Sequence, residues 1–164
     1  MSKQKEEKTN VMRVLDQKKV SYTPHSYPHD GETAPDGVSV AQMLGQNPAA
    51  VFKTLVAKGA SGGYYVFDIP VADTLDLKKA AKAVGEKSIA MLPAKELLPL
   101  TGYVHGGCSP VGMKKRFPTV FHESCLDHGT ICVSAGKVGF QVEVKPADLI
   151  ALMGGTTADV IVEG

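Results

Sequence analysis

Two neighbouring runs of hydrophobic residues give the clearest local signal in the chain. Residues 51–57 and residues 64–69 are both rich in strand-forming side chains, and Ser61-Gly62-Gly63 separates them. Two such runs joined by a short glycine-containing segment are typical of a β-hairpin. The pattern therefore predicts that these two runs pair as antiparallel strands.

A helix is predicted directly after the hairpin. Asp76 is a favourable N-cap residue, and Gly85 suits a left-handed C-terminal cap. Between them, apolar residues recur at helical spacing. The side chains expected to face inward are Leu77, Ala80, Ala81 and Val84.

Similar patterns predict the other elements of the chain. Helices are expected over residues 9–19, from a Ser39 cap through Leu44, for one turn after Asn47-Pro48, from Pro93 through Leu98, and from Pro146 to near Gly154. Strands are expected over residues 20–27 (an edge strand broken by Pro24), 89–91, 119–121, 130–134 and 139–144.

Strands outnumber helices in this prediction, and several neighbouring strands are joined by tight turns. This favours an α/β fold of the α+β type, with a mixed, mainly antiparallel, barrel-like sheet surrounded by helices. No repeat, linker or low-complexity tract divides the chain. We therefore expect one domain over residues 1–164, with residues 1–8 frayed.

Composition narrows the class of protein and its partners. The 164 residues are 43% hydrophobic, as in a soluble globular protein, and the charged N-terminus does not resemble a secretory signal. Three irregularly spaced cysteines favour a reducing, cytoplasmic compartment, and no apolar run suggests a membrane partner. A net charge of +1 argues against binding nucleic acid mainly through phosphates, so any such contact would use local patches or a partner protein.

The first candidate site is the glycine-rich segment 102–116. Gly106, Gly107 and Gly112 leave the backbone bare around Ser109-Pro110, so that main-chain N–H groups could approach a ligand closely. A row of such donors suits a developing oxyanion or a phosphate. A tight turn between strands explains the same residues, and the segment matches neither a P-loop nor a dinucleotide-binding motif.

Lys53 is the second candidate. Strand alternation puts it on one face with Val51 and Leu55, and burying an unpaired ammonium among such residues is costly. It could hold a carboxyl, a phosphate or a polarised carbonyl at the mouth of a cavity. An edge-strand lysine that points to water is the simpler alternative.

Other candidates have weaker support. Cys108 could be a nucleophile activated by His105, and His122, Cys125 and His128 have ligand-like spacing without a second ligand pair. Ser134 with Gly136 forms a small polar turn that an ordinary hairpin also explains. Basic residues could form a patch, although solvated faces are the default; they are Lys78, Lys79, Lys82, Lys87, Lys114, Lys115 and Arg116.

Four segments together carry a family resemblance: residues 51–56, 75–85, 101–115 and 133–139, in that order. With them the chain resembles the YbaK family of free-standing Cys-tRNA(Pro) deacylases, which are relatives of the editing domain of prolyl-tRNA synthetase. The resemblance extends from Val11 to Val162. The Phe-Lys-Thr strand combined with the glycine-serine-proline loop makes it specific.

The resemblance implies a role in clearing mischarged tRNA, which exists because a synthetase pocket rejects similar-sized amino acids poorly. It also implies a substrate-assisted reaction, in which the cysteinyl thiol attacks its own ester and leaves as a cyclic thiolactone. The protein would then supply no nucleophile. It would act on the 3′ end of aminoacyl-tRNA, with a prolyl-tRNA synthetase complex as the expected partner and with neither a cofactor nor a metal ion.

The resemblance also assigns residue roles. Lys53 corresponds to an essential lysine, and Gly106 and Gly107 correspond to backbone donors. Residues matched to substrate binding are Tyr27, Ser109, Pro110, Ser134 and Gly136. The chain departs from relatives at Asp36, often aromatic, at Gln141, an acid in some, and at Cys108, for which an aliphatic wall residue is expected.

Two other functions stay open from the residues. The same fold could clear Ala-tRNA(Pro), in which case water would have to attack because alanine has no thiol. The cleft could instead serve a non-catalytic module that binds a nucleotide or tRNA. A hydrolase that uses Cys108 is a third alternative.

Overall fold

The computed structural model describes residues 8–29 and 34–163, in which five helices and eight strands are assigned. The helices are α1 (Asn10–Gln17), α2 (Gly37–Met43), α3 (Leu77–Val84), α4 (Ala94–Thr101) and α5 (Pro146–Met153). The strands are β1 (Tyr22–Ser26), β2 (Phe52–Gly59), β3 (Tyr64–Pro70), β4 (Ile89–Met91), β5 (Thr119–His122), β6 (Ile131–Ser134), β7 (Phe140–Val144) and β8 (Thr156–Ala158). Apart from Lys8, the end predicted to be frayed lies outside the described residues.

Local patterns predicted three helices well: apolar spacing for α1, the caps Asp76 and Gly85 for α3, and Pro146 for α5. Thr9 Oγ1 accepts the Met12 N–H at the start of α1, and the Asp76 carboxylate accepts the Lys78 and Lys79 N–H groups at the start of α3. Gly85 ends α3 with φ +76°, a left-handed conformation that glycine adopts without strain. Helix α5 begins at Pro146 and ends at Gly154, as predicted.

Three details of the helix prediction are wrong. Asp36, and not Ser39, caps α2: its carboxylate accepts the Ser39 N–H at 2.8 Å. The Leu77 side chain lies in the first turn of α3 and is 41% exposed, so it does not face the core. Helix α4 continues past Pro99 to Thr101, whose hydroxyl donates to the Leu97 carbonyl at 2.8 Å and so supports the last turn.

The strands form two sheets. The smaller has the order β1-β7-β6 and is wholly antiparallel, with β1 at its edge as predicted. The larger has the order β4-β2-β3-β5-β8; β2 pairs antiparallel with β3 and β4, whereas β5 pairs parallel with β3 and β8. The fold is therefore mixed α/β, and the predicted hairpin of β2 and β3 is confirmed.

The two sheets meet where β2 begins. An isolated parallel bridge joins Val51 to Cys132 of β6. Across residues 8–29 and 34–163, the strand ladders do not close into a barrel, so the predicted barrel-like closure is not confirmed. Strand β8 was not predicted at all.

The hairpin divides the core into two parts because alternate residues of its strands face opposite sides. Leu55, Ala57, Phe67 and Ile69 pack in a cluster with Ala80 and Ala81 of α3. On the other side, Phe52, Val56 and Val66 pack in the larger cluster with α1, α5 and Cys108. The functional cavity described below lies at the edge of β2 between these two parts.

A search of the described residues for a long apolar helix, of the kind that crosses a lipid bilayer, found none.

Candidate active site

A cavity of about 390 Å³ opens beside the first half of β2. It forms there because β4 pairs only with Ala57–Gly59, which leaves the β2 edge near Phe52–Leu55 uncovered by β4. Helix α2, helix α4, the glycine segment and the smaller sheet supply the other walls. Residues that contribute to the lining include Tyr27, Asp36, Val40, Lys53, Thr54, Leu97, His105, Gly106, Cys108, Ser134 and Gln141.

Lys53 lines this cavity and is partly exposed. No salt bridge or side-chain hydrogen bond to its ammonium occurs among the residues that the structure describes. Burial lowers the pKa of Lys53 below its usual value, and the nearby Asp73 carboxylate offsets part of that effect. Within the described residues, the Lys53 ammonium is therefore a cationic donor with no partner that a ligand would have to displace.

The glycine segment is held in position by Thr101 and Tyr103. The Tyr103 N–H donates to Thr101 Oγ1 at 3.0 Å, and the Tyr103 hydroxyl donates to the Val111 carbonyl at 2.6 Å. Tyr103 is buried in the larger core cluster. The segment that follows α4 is thus pinned at both ends to the core, and its middle, at Gly106, faces the cavity.

Gly106 must be glycine for two reasons. Its φ is +86°, and a Cβ at this position would lie 2.3 Å from the Ala34 Cβ. Within the described part of the chain, its N–H has no hydrogen-bond acceptor. Gly106 therefore offers the cavity an uncommitted backbone donor.

Gly107 differs from Gly106. Its N–H donates to the Val104 carbonyl at 2.9 Å, and its Cα faces the backbone of Lys137 and Val138. Because this amide is used inside the turn, it is not free to bind an oxyanion in this conformation. The donor role predicted for Gly107 is not supported by its geometry.

The five predicted substrate-binding residues are divided between the cavity and its surroundings. Tyr27 and Ser134 line the cavity. Gly136 does not: its N–H donates to Ser134 Oγ at 3.0 Å, and a Cβ there would lie 2.9 Å from Val11 Cγ2. Gly136 thus supports Ser134 from behind and, although partly exposed, does not line the cavity in which its predicted contact with substrate would occur.

Ser109 and Pro110 also lie outside the cavity. Ser109 is fully buried, and its hydroxyl accepts the Val111 N–H at 3.2 Å. Pro110 lines a separate, smaller cavity of about 190 Å³ with Met113 and Phe117. Both residues are buried behind the turn that contains Gly106, so they contribute to the packing of the glycine segment rather than to the cavity lining.

Asp36 and Gln141, two of the positions at which the chain is expected to depart from the family pattern, both line the cavity. The Asp36 carboxylate accepts the N–H and the hydroxyl of Ser39, which hold its pKa below the usual range. Gln141 is buried and accepts a hydrogen bond from Gln46 Nε2 at 2.9 Å. Each polar group is thus committed to a neighbour, which fixes the shape of that wall.

Cys108 lines the cavity as the predicted wall residue. Burial, with a smaller contribution from the Asp68 charge, raises the pKa of its thiol to about 12. No hydrogen bond joins it to His105 anywhere in the described chain. A thiol kept neutral in this way is a poor nucleophile, so the geometry does not favour the Cys108 hydrolase alternative.

Sequence reasoning missed Thr54 and Asp68, which lie opposite each other in β2 and β3. Thr54 lines the cavity, and its hydroxyl donates to Asp68 Oδ1 at 2.6 Å. Asp68 is fully buried, and burial raises its pKa to about 7. The available signal was an aspartate inside an otherwise apolar strand, as unusual there as the lysine of β2.

Side chains that could hold a metal ion lie outside the cavity lining. His25, Cys132 and Glu143 bring ligand atoms within 4.8 Å of one another, and they form the single such group among the described residues. His25 Nε2 and Glu143 Oε1 are 2.8 Å apart, and Glu143 also accepts the Thr130 hydroxyl. These contacts pair the groups directly, and the residues around His122 form no comparable set.

Three comparisons with known proteins place the cavity in context. Residues 32–152 match the model of the aminoacyl-tRNA editing domain family. A protein of Enterococcus faecalis named "Putative Cys-tRNA(Pro)/Cys-tRNA(Cys) deacylase EbsC" is 44% identical over 161 residues, covering 98% of both chains.

Solved structures agree with this match. The crystal structure of "a putative trans-editing enzyme for prolyl tRNA synthetase" is similar with a TM-score of 0.79 and 27% identity, covering 94% of this chain and 95% of that one. The hypothetical protein APE2540 shares the fold with a TM-score of 0.83 at 23% identity, covering 93% and 99% of the two chains.

Proposed function

The chain belongs to the aminoacyl-tRNA editing domain family, and from this premise we propose that it is a trans-acting deacylase of mischarged Cys-tRNA(Pro), with Cys-tRNA(Cys) as a second substrate. The supporting observation is one cavity lined by both Lys53 and Gly106, in which neither the Lys53 ammonium nor the Gly106 N–H has a hydrogen-bond or ion-pair partner among residues 8–29 and 34–163. A cation and a backbone donor on one cavity suit an ester carbonyl whose oxygen gains charge during reaction.

We propose that the substrate supplies the nucleophile. The cysteinyl sulfur loses its proton and bonds to the carbonyl carbon of its own ester, the carbon–oxygen bond to the terminal ribose breaks, and the ribose oxygen takes a proton. Cysteine leaves as a cyclic thiolactone. The protein needs only to hold the ester in the folded-back conformation and to stabilise the oxyanion, which agrees with the neutral thiol of Cys108.

Residue roles in this proposal follow the lining of the cavity. Lys53 binds the reacting ester or the adjacent tRNA terminus, and the Gly106 N–H donates to the oxyanion. Tyr27 and Ser134 contact the aminoacyl group, while Gly107, Ser109, Pro110 and Gly136 shape the walls from behind. No step in this reaction requires a metal ion or cofactor.

The setting of the activity is also a proposal. We expect residues 1–164 to act as one editing domain in the cytoplasm. The net charge of +1 gives weak electrostatic attraction for tRNA. A complex with prolyl-tRNA synthetase, which would deliver the charged tRNA, therefore remains the expected partner.

The test is a deacylation panel with Cys-, Ala- and Pro-charged tRNA(Pro) and Cys-charged tRNA(Cys), with and without prolyl-tRNA synthetase. The proposal expects turnover of the two Cys-charged substrates, and expects Lys53→Ala to lower that turnover roughly 10²–10³-fold, as the loss of one oxyanion-stabilising group does. Lys58→Ala is the matched control, because Lys58 lies on the same strand but is exposed and distant from the cavity lining.

Three results would contradict the proposal. Turnover of Ala-tRNA(Pro) in preference to the Cys-charged tRNAs would favour the alanine-specific alternative, in which water attacks. Absence of turnover on every substrate would favour a binding module. Equal activity of Lys53→Ala and Lys58→Ala would remove Lys53 from the site.

A further inference from the structure

Asp68 is a buried carboxyl group that the proposed reaction does not yet use. It lies in the middle of β3 with no exposed surface. Oδ1 accepts the Thr54 hydroxyl at 2.6 Å, whereas Oδ2 has no hydrogen-bond partner in the part of the chain described. Burying a carboxyl with one oxygen unsatisfied costs stability, so a fold that keeps one there calls for an explanation.

The position of Asp68 connects it to the cavity. Asp68 lies directly opposite Thr54 in the hairpin register, so both side chains are on the same face of the two strands. Thr54 is partly exposed and lines the cavity. Cys108 also lines the cavity, and the Asp68 charge contributes to the raised pKa of its thiol. The carboxyl group thus lies behind the cavity wall, with one hydroxyl between it and a bound ligand.

The groups that face Asp68 do not neutralise it. They are Thr54 from β2, Cys108 from the glycine segment, Cys125 from the turn after β5 and, by register, Phe121 from β5. Lys53 is on the opposite face of β2, and the carboxylate that acts on it is Asp73. His122 is on the opposite face of β5, where its Nδ1 accepts the Val160 N–H. No cation among the described residues pairs with Asp68.

The state of this carboxyl group decides which way the Thr54 hydroxyl points. When Asp68 is ionised, it accepts the hydroxyl proton, and the Thr54 oxygen presents its lone pairs to the cavity as an acceptor. When Asp68 is protonated, it can donate to the Thr54 oxygen, and the hydroxyl is then free to donate toward the cavity. Protonation of Asp68 therefore changes the Thr54 hydroxyl from a hydrogen-bond acceptor to a hydrogen-bond donor on the cavity wall.

We propose that Asp68 is a positioning residue for deacylation, which acts through the Thr54 hydroxyl to accept the proton of the substrate thiol. This inference rests on the proposed function. Thr54 is the group that touches the substrate, and Asp68 is the proton reservoir behind it.

Each proton that moves in this step has a donor and an acceptor. The thiol S–H bond breaks and its proton goes to Thr54 Oγ1, while the Thr54 hydroxyl proton goes to Asp68 Oδ1. The sulfur then bonds to the ester carbon, and the carbon–oxygen bond to the ribose breaks. The released ribose oxygen takes a proton back from Asp68 along the same route, so that both side chains return to their starting state.

The pKa of Asp68 suits a proton acceptor. Burial raises the pKa of Asp68 to about 7, close to neutral pH. A base whose pKa lies near the working pH is the most effective, because it is ionised often enough and still accepts a proton readily. An ordinary exposed aspartate would be far too weak a base for a thiol.

The test is the pH dependence of single-turnover deacylation of Cys-tRNA(Pro) by the wild-type protein and four variants, the fourth being the double variant. Wild type is expected to show a rising limb with an apparent pKa near 7. Asp68→Asn and Thr54→Val are each expected to lose this limb and to lower the single-turnover rate constant at pH 8 roughly 10²-fold, without raising the enzyme concentration needed for half-saturation. Thr54→Ser keeps the hydroxyl and should keep the limb, and the double variant should be no slower than either single one.

Several outcomes overturn the inference. If wild type is active but Asp68→Asn keeps the limb, or only lowers the rate equally at every pH, then Asp68 is structural and the proposed function survives. Thr54→Ser that behaves as Thr54→Val overturns it too. Wild type inactive at every pH overturns both proposals.

A measurement independent of variant folding completes the design. Carbon-13 NMR titration of aspartate carboxyl groups in wild type should reveal one that titrates near pH 7, assigned by its absence in Asp68→Asn or Asp68→Glu. If every aspartate carboxyl of the folded wild-type protein titrates below pH 5, the proton-accepting role is overturned, whatever the variants do.

Discussion

The two faces of the β2–β3 hairpin serve different purposes. The face toward α3 is apolar along Leu55, Ala57, Phe67 and Ile69, and the lysine on this face, Lys53, lies at the cavity end and is partly exposed. The face toward the larger core cluster also buries apolar side chains, yet it includes the fully buried carboxyl of Asp68. The first face is therefore mainly apolar packing, whereas the second includes a buried carboxyl group beside the cavity.

Lys53 and Asp68 are the two positions in the hairpin at which burial of an ionisable group lowers stability next to the cavity. Both ionisable groups are shifted toward their neutral forms by burial: the pKa of Lys53 is lowered and that of Asp68 is raised. Neither has an ion-pair partner in the described residues. An isolated, desolvated ionisable group beside a cavity is a physical indication of a functional site.

The largest effect is expected when the apolar face is disrupted. Phe67 is fully buried, so Phe67→Ala should lower the free energy of unfolding by about 3–5 kcal/mol, through lost burial and the resulting space. Denaturant unfolding measures this loss. Activity of the fraction that remains folded at low temperature should be unchanged. If the folded variant instead lost turnover, the packed part of the α3 face, beyond Lys53, would also be part of the site and the comparison would fail.

The second-largest effect is the pH dependence of stability that Asp68 causes on the opposite face of the hairpin. Asp68 has a pKa of about 7 in the folded protein and an ordinary value in the unfolded chain, so the folded state binds more protons between about pH 4 and pH 7. Stability should therefore fall as pH rises through that window and level off above it. The contribution of this one group is at most about 4 kcal/mol, since each pKa unit is worth about 1.4 kcal/mol.

Urea unfolding of wild type and Asp68→Asn across pH 4.5–8 measures this contribution as the difference between the two curves. The variant should become the relatively more stable protein at pH 8, because the neutral amide does not ionise. Parallel curves for the two proteins would show that Asp68 titrates normally and is not desolvated as the structure indicates.

The smallest effect is expected at Lys53. Lys53→Met removes a partly desolvated charge but fills similar space, so stability should rise by only about 0.5 kcal/mol, because water still reaches the lysine. Thermal unfolding measures the change, and deacylation should be lost in the same sample. A clear loss of stability would mean that the ammonium has a structural partner, which would contradict its assignment as an unpaired donor.

The sequence predicted those parts of the fold whose signals are local. The hairpin, α1, α3 and α5 are predictable because their signals lie within or next to the element itself: helical spacing within α1, Asp76 and Gly85 at the ends of α3, and Pro146 at the start of α5. Strand β8 was missed because Thr156–Ala158 is short and pairs in parallel with β5, far back in the chain. The pairing of β3 with β5 was inaccessible for the same reason.

The site was predictable in part. Lys53 was noticed because a charge in an apolar strand is exceptional, and the bare backbone around Gly106 was visible as spacing. Asp68 is likewise a charged residue in an apolar strand, but its link to the cavity depends on Thr54, and that pairing is known only from the strand register. Sequence alone could not show that the Gly107 amide is used in a turn while the Gly106 amide is not.

The most direct measurement is a titration of the nitrogen-15-labelled protein with a 3′-(cysteinylamino) adenosine, in which a stable amide replaces the reactive ester. We expect saturable shifts centred on the Gly106 amide and on Tyr27 and Ser134, which line the same cavity as Lys53, and much weaker binding by Lys53→Ala than by Lys58→Ala. Shifts confined to residues outside the cavity, such as those around Pro110 and Phe117, or equal binding by the two variants, would contradict the account.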